Sequence, residues 1–119
     1  MIFEHEIPEC KVEPTEIKLP DVFPGRLIVG GLSHALHTTW LRFNKVTLGI
    51  NCIGKYDKEG NIGWRWQLVE DAKKQHGIPW KHFPLNNVKE QELYFNVFEA
   101  MREALSNEKN TVYVHCKIT

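Results

Sequence analysis

Two segments of this chain are apolar at nearly every position: Val46-Thr47-Leu48-Gly49-Ile50-Asn51-Cys52-Ile53 and Thr111-Val112-Tyr113-Val114-His115-Cys116. A strand with one wet face alternates polar and apolar residues, whereas a strand apolar on both faces must be covered on both sides. That is the situation of parallel strands in a sheet sandwiched between helices. The rest of the chain supplies the partners. Arg26-Leu27-Ile28-Val29-Gly30-Gly31 is a short apolar run closed by two glycines, and Pro79-Trp80-Lys81-His82-Phe83-Pro84-Leu85 reads as a short alternating strand. Ser33 is placed to cap a short helix containing Leu36, Trp40 and Leu41. Trp64, Leu68 and Ala72 recur at spacing four, predicting a helix from Trp64 to Gln75 that Gly77 caps. Tyr94, Phe98, Met101 and Leu105, widened by Val97, Ala100 and Ala104, predict the longest helix, from Glu90 to Ser106. Strand and helix therefore alternate, giving an α/β domain with a mostly parallel central sheet flanked by helices.

The length, 119 residues, suits one domain. Residues 1–24 carry Pro8, Pro14, Pro20 and Pro24 and read as an extended arm laid over a domain of residues 25–119, with no packed element of its own. With 42% hydrophobic and 25% charged residues, the composition argues against disorder. No run approaches the ~20 apolar residues of a spanning helix, and Met1 to Glu6 lacks the basic and apolar regions of a secretory signal. Fifteen basic residues balance fifteen acidic ones, which speaks against a nucleic-acid binder. Cys10, Cys52 and Cys116 are too scattered for a disulfide scaffold, so the expectation is reduced thiols in a cytoplasmic compartment. No CxxC or HExxH occurs, and no metal or cofactor is expected. His34 and His37, three apart on a presumed helix face, read as surface histidines, Cys52 as a buried strand residue and Cys10 as an exposed one. Trp40, Trp64, Trp66 and Trp80 read as packing residues, and Arg65 as an ordinary exposed arginine. Gly30-Gly31 is a turn, since neither GxGxxG nor GxxxxGK[ST] is present.

In open α/β sheets chemistry sits outside the carboxyl ends of the strands, and the last strand ends on His115-Cys116. A loop that turned its backbone N–H groups inward there would cradle an anion, and the same field would hold Cys116 as a nucleophilic thiolate. The strand pattern alone leaves a second reading open, in which Cys116 is a small buried hydrophobe.

Val112-Tyr113-Val114-His115-Cys116-Lys117 resembles the beginning of the signature loop of the cysteine-dependent protein tyrosine and dual-specificity phosphatases, which runs His-Cys, five residues, then Arg. Upstream blocks follow in the family's order: Gly25 to Ser33 resembles its first strand and turn, Val46 to Ile53 its Asn-bearing strand with Asn51 in place, Trp80 to Leu85 the strand before the general-acid loop, and Phe95 to Leu105 the helix feeding the catalytic strand. The likeness spans about residues 20–119, the first two-thirds of such a domain.

The resemblance implies a dual-specificity-phosphatase-like fold without its C-terminal helices. It implies phosphomonoester hydrolysis through a cysteinyl-phosphate on Cys116, with His115 supporting the thiolate. The backbone N–H groups of Lys117, Ile118 and Thr119 would face the phosphate. No cofactor is implied, and the partner would be a phosphorylated protein or another phosphoester. Departures point toward a chain that is inactive or severely impaired as given. Thr119 stands where the family usually has Gly, a poor exchange if φ > 0 is needed. The arginine with which the family clamps phosphate is absent, because the chain stops first. Asn87 stands at the general-acid position and is not expected to act as an acid. Glu90 and Glu92 fit the first turn of the following helix better than the acid role. A non-catalytic pseudophosphatase that binds phospho-ligands or a protein partner is therefore the alternative. A rhodanese-like sulfur carrier, which also ends a strand on Cys, fits fewer blocks.

A strand apolar on both sides, without those helices, would leave several large side chains in water, each costing ~1.5–3 kcal/mol. The expectation is a fragment of a longer protein, or a homo-oligomer whose copies cover each other, in preference to a lone monomer.

Overall fold

The computed structural model describes residues 13–56, 59–84 and 91–115, and of residues 91–93 the backbone only. Along the chain come β1 (Thr15–Ile17), β2 (Arg26–Gly30), α1 (Leu32–Ala35), α2 (Thr38–Phe43), β3 (Leu48–Asn51), α3 (Trp64–His76), β4 (Trp80–His82), α4 (Gln91–Leu105) and β5 (Thr111–His115). The five strands form one sheet in the order β1-β2-β5-β3-β4. β2, β5, β3 and β4 run parallel and only β1 is antiparallel, so the mostly parallel α/β sheet expected from the sequence is present.

The two-faced strands explain the layering. On one side of the sheet, Leu27, Ile50, Cys52 and Val112 pack with Val97, Ala100 and Leu105 of α4. On the other, Ile28, Val46 and Tyr113 pack with Ala35 of α1 and Leu41 of α2. Leu32, Ile53 and Val69 extend this second layer to α3. β5 supplies both layers because its successive residues point to opposite faces. Its large side chains are accordingly covered: Val112 and Tyr113 are fully buried, contrary to the expectation that the strand would stand in water. The exposure that remains on the α4 side lies toward the carboxyl ends, where Val114 is only partly buried and its register partner Val29 is 40% exposed.

Several local expectations need correction. Thr15–Ile17 of the proline-rich arm does form an element, pairing with Leu27–Val29. The Arg26 guanidinium donates to both carboxylate oxygens of Glu16, at 3.1 and 2.8 Å, and helps fix this exposed edge strand. Ser33 caps nothing, because Gly31 holds that position for α1, while the His37 ring caps α2 by accepting from the Trp40 N–H. His34 and His37 therefore belong to different elements. In α3 the buried side is Trp66, Val69 and His76, with Trp64 half in solvent, so the helix is rotated from the Trp64-Leu68-Ala72 stripe. Gly77 caps it in the left-handed conformation, at φ 65°, as its lack of a side chain allows. In α4 Phe98 is 62% exposed, and the buried stripe is Val97, Ala100 and Leu105. Arg65 is half-buried, its guanidinium 4.2 Å above the Trp64 ring, a cation–π pair. No helix of the described residues is long and apolar enough to cross a membrane.

Candidate active site

The carboxyl edge of the parallel sheet is a single register row. Gly30 of β2 lies beside His115 of β5, His115 beside Asn51 of β3, and Asn51 beside His82 of β4. Of the residues singled out in the sequence for chemistry, His115 is in this row. Asn87, Cys116, Lys117, Ile118 and Thr119 lie outside the described residues, as does Cys10.

His115 is 1% exposed. Its ring stacks on Tyr113, with centroids 6.0 Å apart and planes 22° apart, and meets Trp80 edge-on at 5.4 Å. Both neighbours are themselves pinned. The Tyr113 hydroxyl donates to the Gly31 carbonyl at 2.6 Å, tying β5 to the turn after β2. The Trp80 indole N–H donates to His76 Nδ1 at 3.2 Å. Two close approaches need glycine: a Cβ on Gly30 would lie 2.5 Å from the Tyr113 hydroxyl, and one on Gly49 2.4 Å from the Trp80 ring.

Asn51, fully buried, organises the other half of the row. Its Oδ1 accepts the Ile53 N–H at 2.9 Å, which fixes the amide's orientation and turns Nδ2 toward His82 Nδ1, 3.1 Å away. An amide NH₂ can only donate, so His82 Nδ1 accepts and the ring proton sits on Nε2. Nε2 faces Glu70 Oε1 at 3.6 Å and Lys73 Nζ at 3.4 Å, and these two α3 side chains are paired at 3.3 Å. Trp66 closes over His82 edge-on at 5.2 Å. Burial holds His82 below the ordinary histidine range, the Lys73 charge adds to this, and Glu70 opposes it. Burial likewise lowers His76, the Arg42 charge adding and the Leu36 backbone opposing. Both imidazoles accept at Nδ1 and so are built into the fold as neutral rings.

This fixes the sign of a pH effect. Below the ordinary value of 6.5 the unfolded chain takes up protons that folded His76 and His82 resist. Their contribution to stability is therefore complete above that pH and falls away as pH drops through it toward the lower folded values. Urea midpoints taken at about pH 7.5 and about pH 5 are expected to decrease with acid, and His76→Gln with His82→Gln is expected to flatten the slope.

Neither Asn51 nor His82 was picked out from the sequence for this network. The available signals were a polar Asn51 inside an otherwise apolar run and a His82 within a short alternating strand. Among the described residues no group of three or more His, Cys, Asp or Glu is arranged to hold a metal ion.

No protein-family model matches this chain, and no curated protein matches it. Among solved structures it is similar to a candidate phosphatase (DUF442) from Shewanella putrefaciens CN-32, with a TM-score of 0.52 and 19% sequence identity. The match covers 94% of this chain and 62% of that one, so the chain spans less than two thirds of its neighbour's length. At this identity the likeness shows the fold: an α/β sheet flanked by helices, of the kind seen in that protein.

Proposed function

We propose that this chain is a phosphatase-type domain whose chemistry is phosphomonoester hydrolysis through Cys116. The observation that carries the reading is the place of β5. It runs through the middle of the sheet between β2 and β3, parallel to both, and its last described residue, His115, lies in the carboxyl-edge row. The residue bonded to His115 is Cys116. The fold likeness to a candidate phosphatase supports the same reading.

In the proposed reaction the Cys116 thiolate attacks phosphorus, an S–P bond forms, the P–O ester bond breaks, and the alcohol oxygen leaves and takes up a proton. Water then attacks phosphorus and gives up a proton to solvent, a P–O bond forms, the S–P bond breaks, and phosphate and the thiolate are released. His115, stacked on Tyr113 and met edge-on by Trp80, supports the thiolate. Backbone N–H groups of Lys117, Ile118 and Thr119 hold the phosphate oxygens. Asn87 carries no acidic proton, so general acid catalysis, worth ~10²–10⁴-fold, is weak in this chain. Aryl phosphates, whose leaving groups need little protonation, are the better substrates on that account.

The 119-residue polypeptide is expected to show little or no turnover of an aryl phosphate, and Cys116→Ser is expected to abolish whatever turnover there is. Turnover that persists in Cys116→Ser overturns the mechanism. A second reading is favoured by Asn87 and Thr119: a pseudophosphatase that holds phospho-ligands without hydrolysing them. Phosphopeptide binding with no release of phosphate supports this second reading. No affinity for phosphate or phosphopeptide at millimolar concentration overturns both.

A further inference from the structure

We propose that two copies of this chain pair through α4, each seating that helix in an apolar groove of the other. The inference does not depend on the chemistry assigned to Cys116.

The two faces of the sheet are covered unequally. Among the described residues α1, α2 and α3 pack on one face, and α4 is the only helix on the other. A parallel sheet is normally covered on both. α4 lies over Leu27, Ile50 and Val112, near the middle of the strand order. Helices pack about 8–10 Å apart, which is two strand spacings of about 4.8 Å. The neighbouring helix position therefore lies over β2 and β1. Val29 shares the phase of Leu27, and Ile17 is the register partner of Leu27, so both belong to this face, and both are exposed.

The flank of α4 beside this opening is apolar too. One residue turns a helix by about 100°. Measured from buried Val97, Leu105 and Phe98 lie about 80–100° round, on one flank, and Phe95 lies about 160° round, directed away from the sheet. That flank faces β2, because the N–H of Gly25, the residue before β2, donates to the Leu105 carbonyl at 2.9 Å. The right-handed rule for the β4–α4–β5 crossover gives the same side. Phe95 and Phe98 are 63% and 62% exposed. Arg102, next along the stripe, is already neutralised by Glu99 at 2.7 Å, so covering the stripe brings in no lone charge.

These features complement themselves. A twofold axis parallel to the strands, passing between α4 and the groove, lays each α4 over the β2 and β1 of the other copy. The two helices then run parallel in one layer between two sheets. Phe98 meets the partner's Phe98, and Phe95 lies on the partner's Val29 and the partner's Ile17. The contacts are reciprocal, so the pair closes and does not grow into a fibre. With 15 residues, α4 is about 22 Å long and about 10 Å across, so its outer face and the groove together offer about 450 Å² in projection on each copy. A side-chain surface exceeds its projection, which brings this to the order of the ~800 Å² per partner of stable interfaces.

Light scattering on the 119-residue chain between about 1 and about 100 µM is expected to give twice the 13.9 kDa of one chain, falling toward one chain on dilution. Phe95→Lys combined with Phe98→Glu, checked by circular dichroism for a native fold, is expected to weaken pairing by ~100-fold or more. Phe43→Ser removes a ring that is 84% exposed on α2, in the opposite layer, and is expected to leave pairing unchanged. In a Cys10→Ser, Cys116→Ser background, a short bis-maleimide is expected to join two copies of Phe98→Cys at position 98. Asn96→Cys, exposed on the other flank of α4, is expected to stay unlinked. A single-chain mass at every concentration overturns the inference, and so does association that continues past two copies. Pairing that survives Phe95→Lys with Phe98→Glu, that is lost in Phe43→Ser, or that links through position 96 and not 98 overturns it as well.

Discussion

Tyr113→Ala is expected to cost about 4–5 kcal/mol, the largest loss of any single truncation in this sheet. Tyr113 is fully buried and packs in the layer of Ile28, Ala35, Leu41 and Val46. Removing the ring leaves a cavity in the sheet centre. It also withdraws the face on which His115 stacks and the edge that Trp40 meets at 5.4 Å. The hydroxyl carries a separate part of the loss, because its bond to the Gly31 carbonyl is buried. Tyr113→Phe isolates that part and is expected to cost about 1–3 kcal/mol. Urea unfolding of the two variants checks both figures. Since domains of this size are stable by only ~5–15 kcal/mol, the alanine variant is expected to be largely unfolded well below the wild-type midpoint.

Gly49→Val is expected to destabilise by about 3 kcal/mol or more, through overpacking. Gly49 pairs in register with Trp80, and a Cβ there would come within 2.4–2.5 Å of three ring carbons. The indole has little room to yield. Its N–H is held by His76 and its ring lies against both His76, at 5.8 Å, and His115, at 5.4 Å. Gly49→Ala is expected to show a milder form of the same defect. The clash predicts non-additivity: in a Trp80→Leu background most of the cost of Gly49→Val is expected to disappear, and equal costs in both backgrounds would remove this explanation.

The parts of the fold legible in the sequence were those where burial on two sides removes all alternation. β3 and β5 declared themselves as two-faced apolar runs, and with the helices between them they fixed a parallel, helix-covered sheet. β1 was not legible, because Thr15, Glu16 and Ile17 are all exposed and carry no pattern. Main-chain pairing and the Arg26–Glu16 contact make that strand, and neither has a local signature. The phase of α3 was misread for a related reason. Trp64 looks like a core residue, yet it is half exposed beneath Arg65, while polar His76 is buried against Trp80. Aromatic and imidazole rings serve either side of a helix, so periodicity alone assigns them poorly. Cys116 and its neighbours, which lie outside the described residues, were visible as a motif. The Asn51–His82 pair was not, since it is the sheet register that brings residues of two different strands together.

The placement of β5 also bears on how the molecule assembles during synthesis. β1 pairs with β2, and β3 with β4, and among the described residues β5 is the only strand bridging the two pairs. A ribosome-bound chain that has not yet released residues 111–115 thus holds two separate ribbons, each with an open edge suited to pairing with another nascent chain. Joining them requires closing a loop from residues 26–30 to 111–115, a distant contact of the kind that slows folding. Yield in cells is therefore expected to depend on how long those edges stay bare, and chaperones that shield nascent strands should raise it.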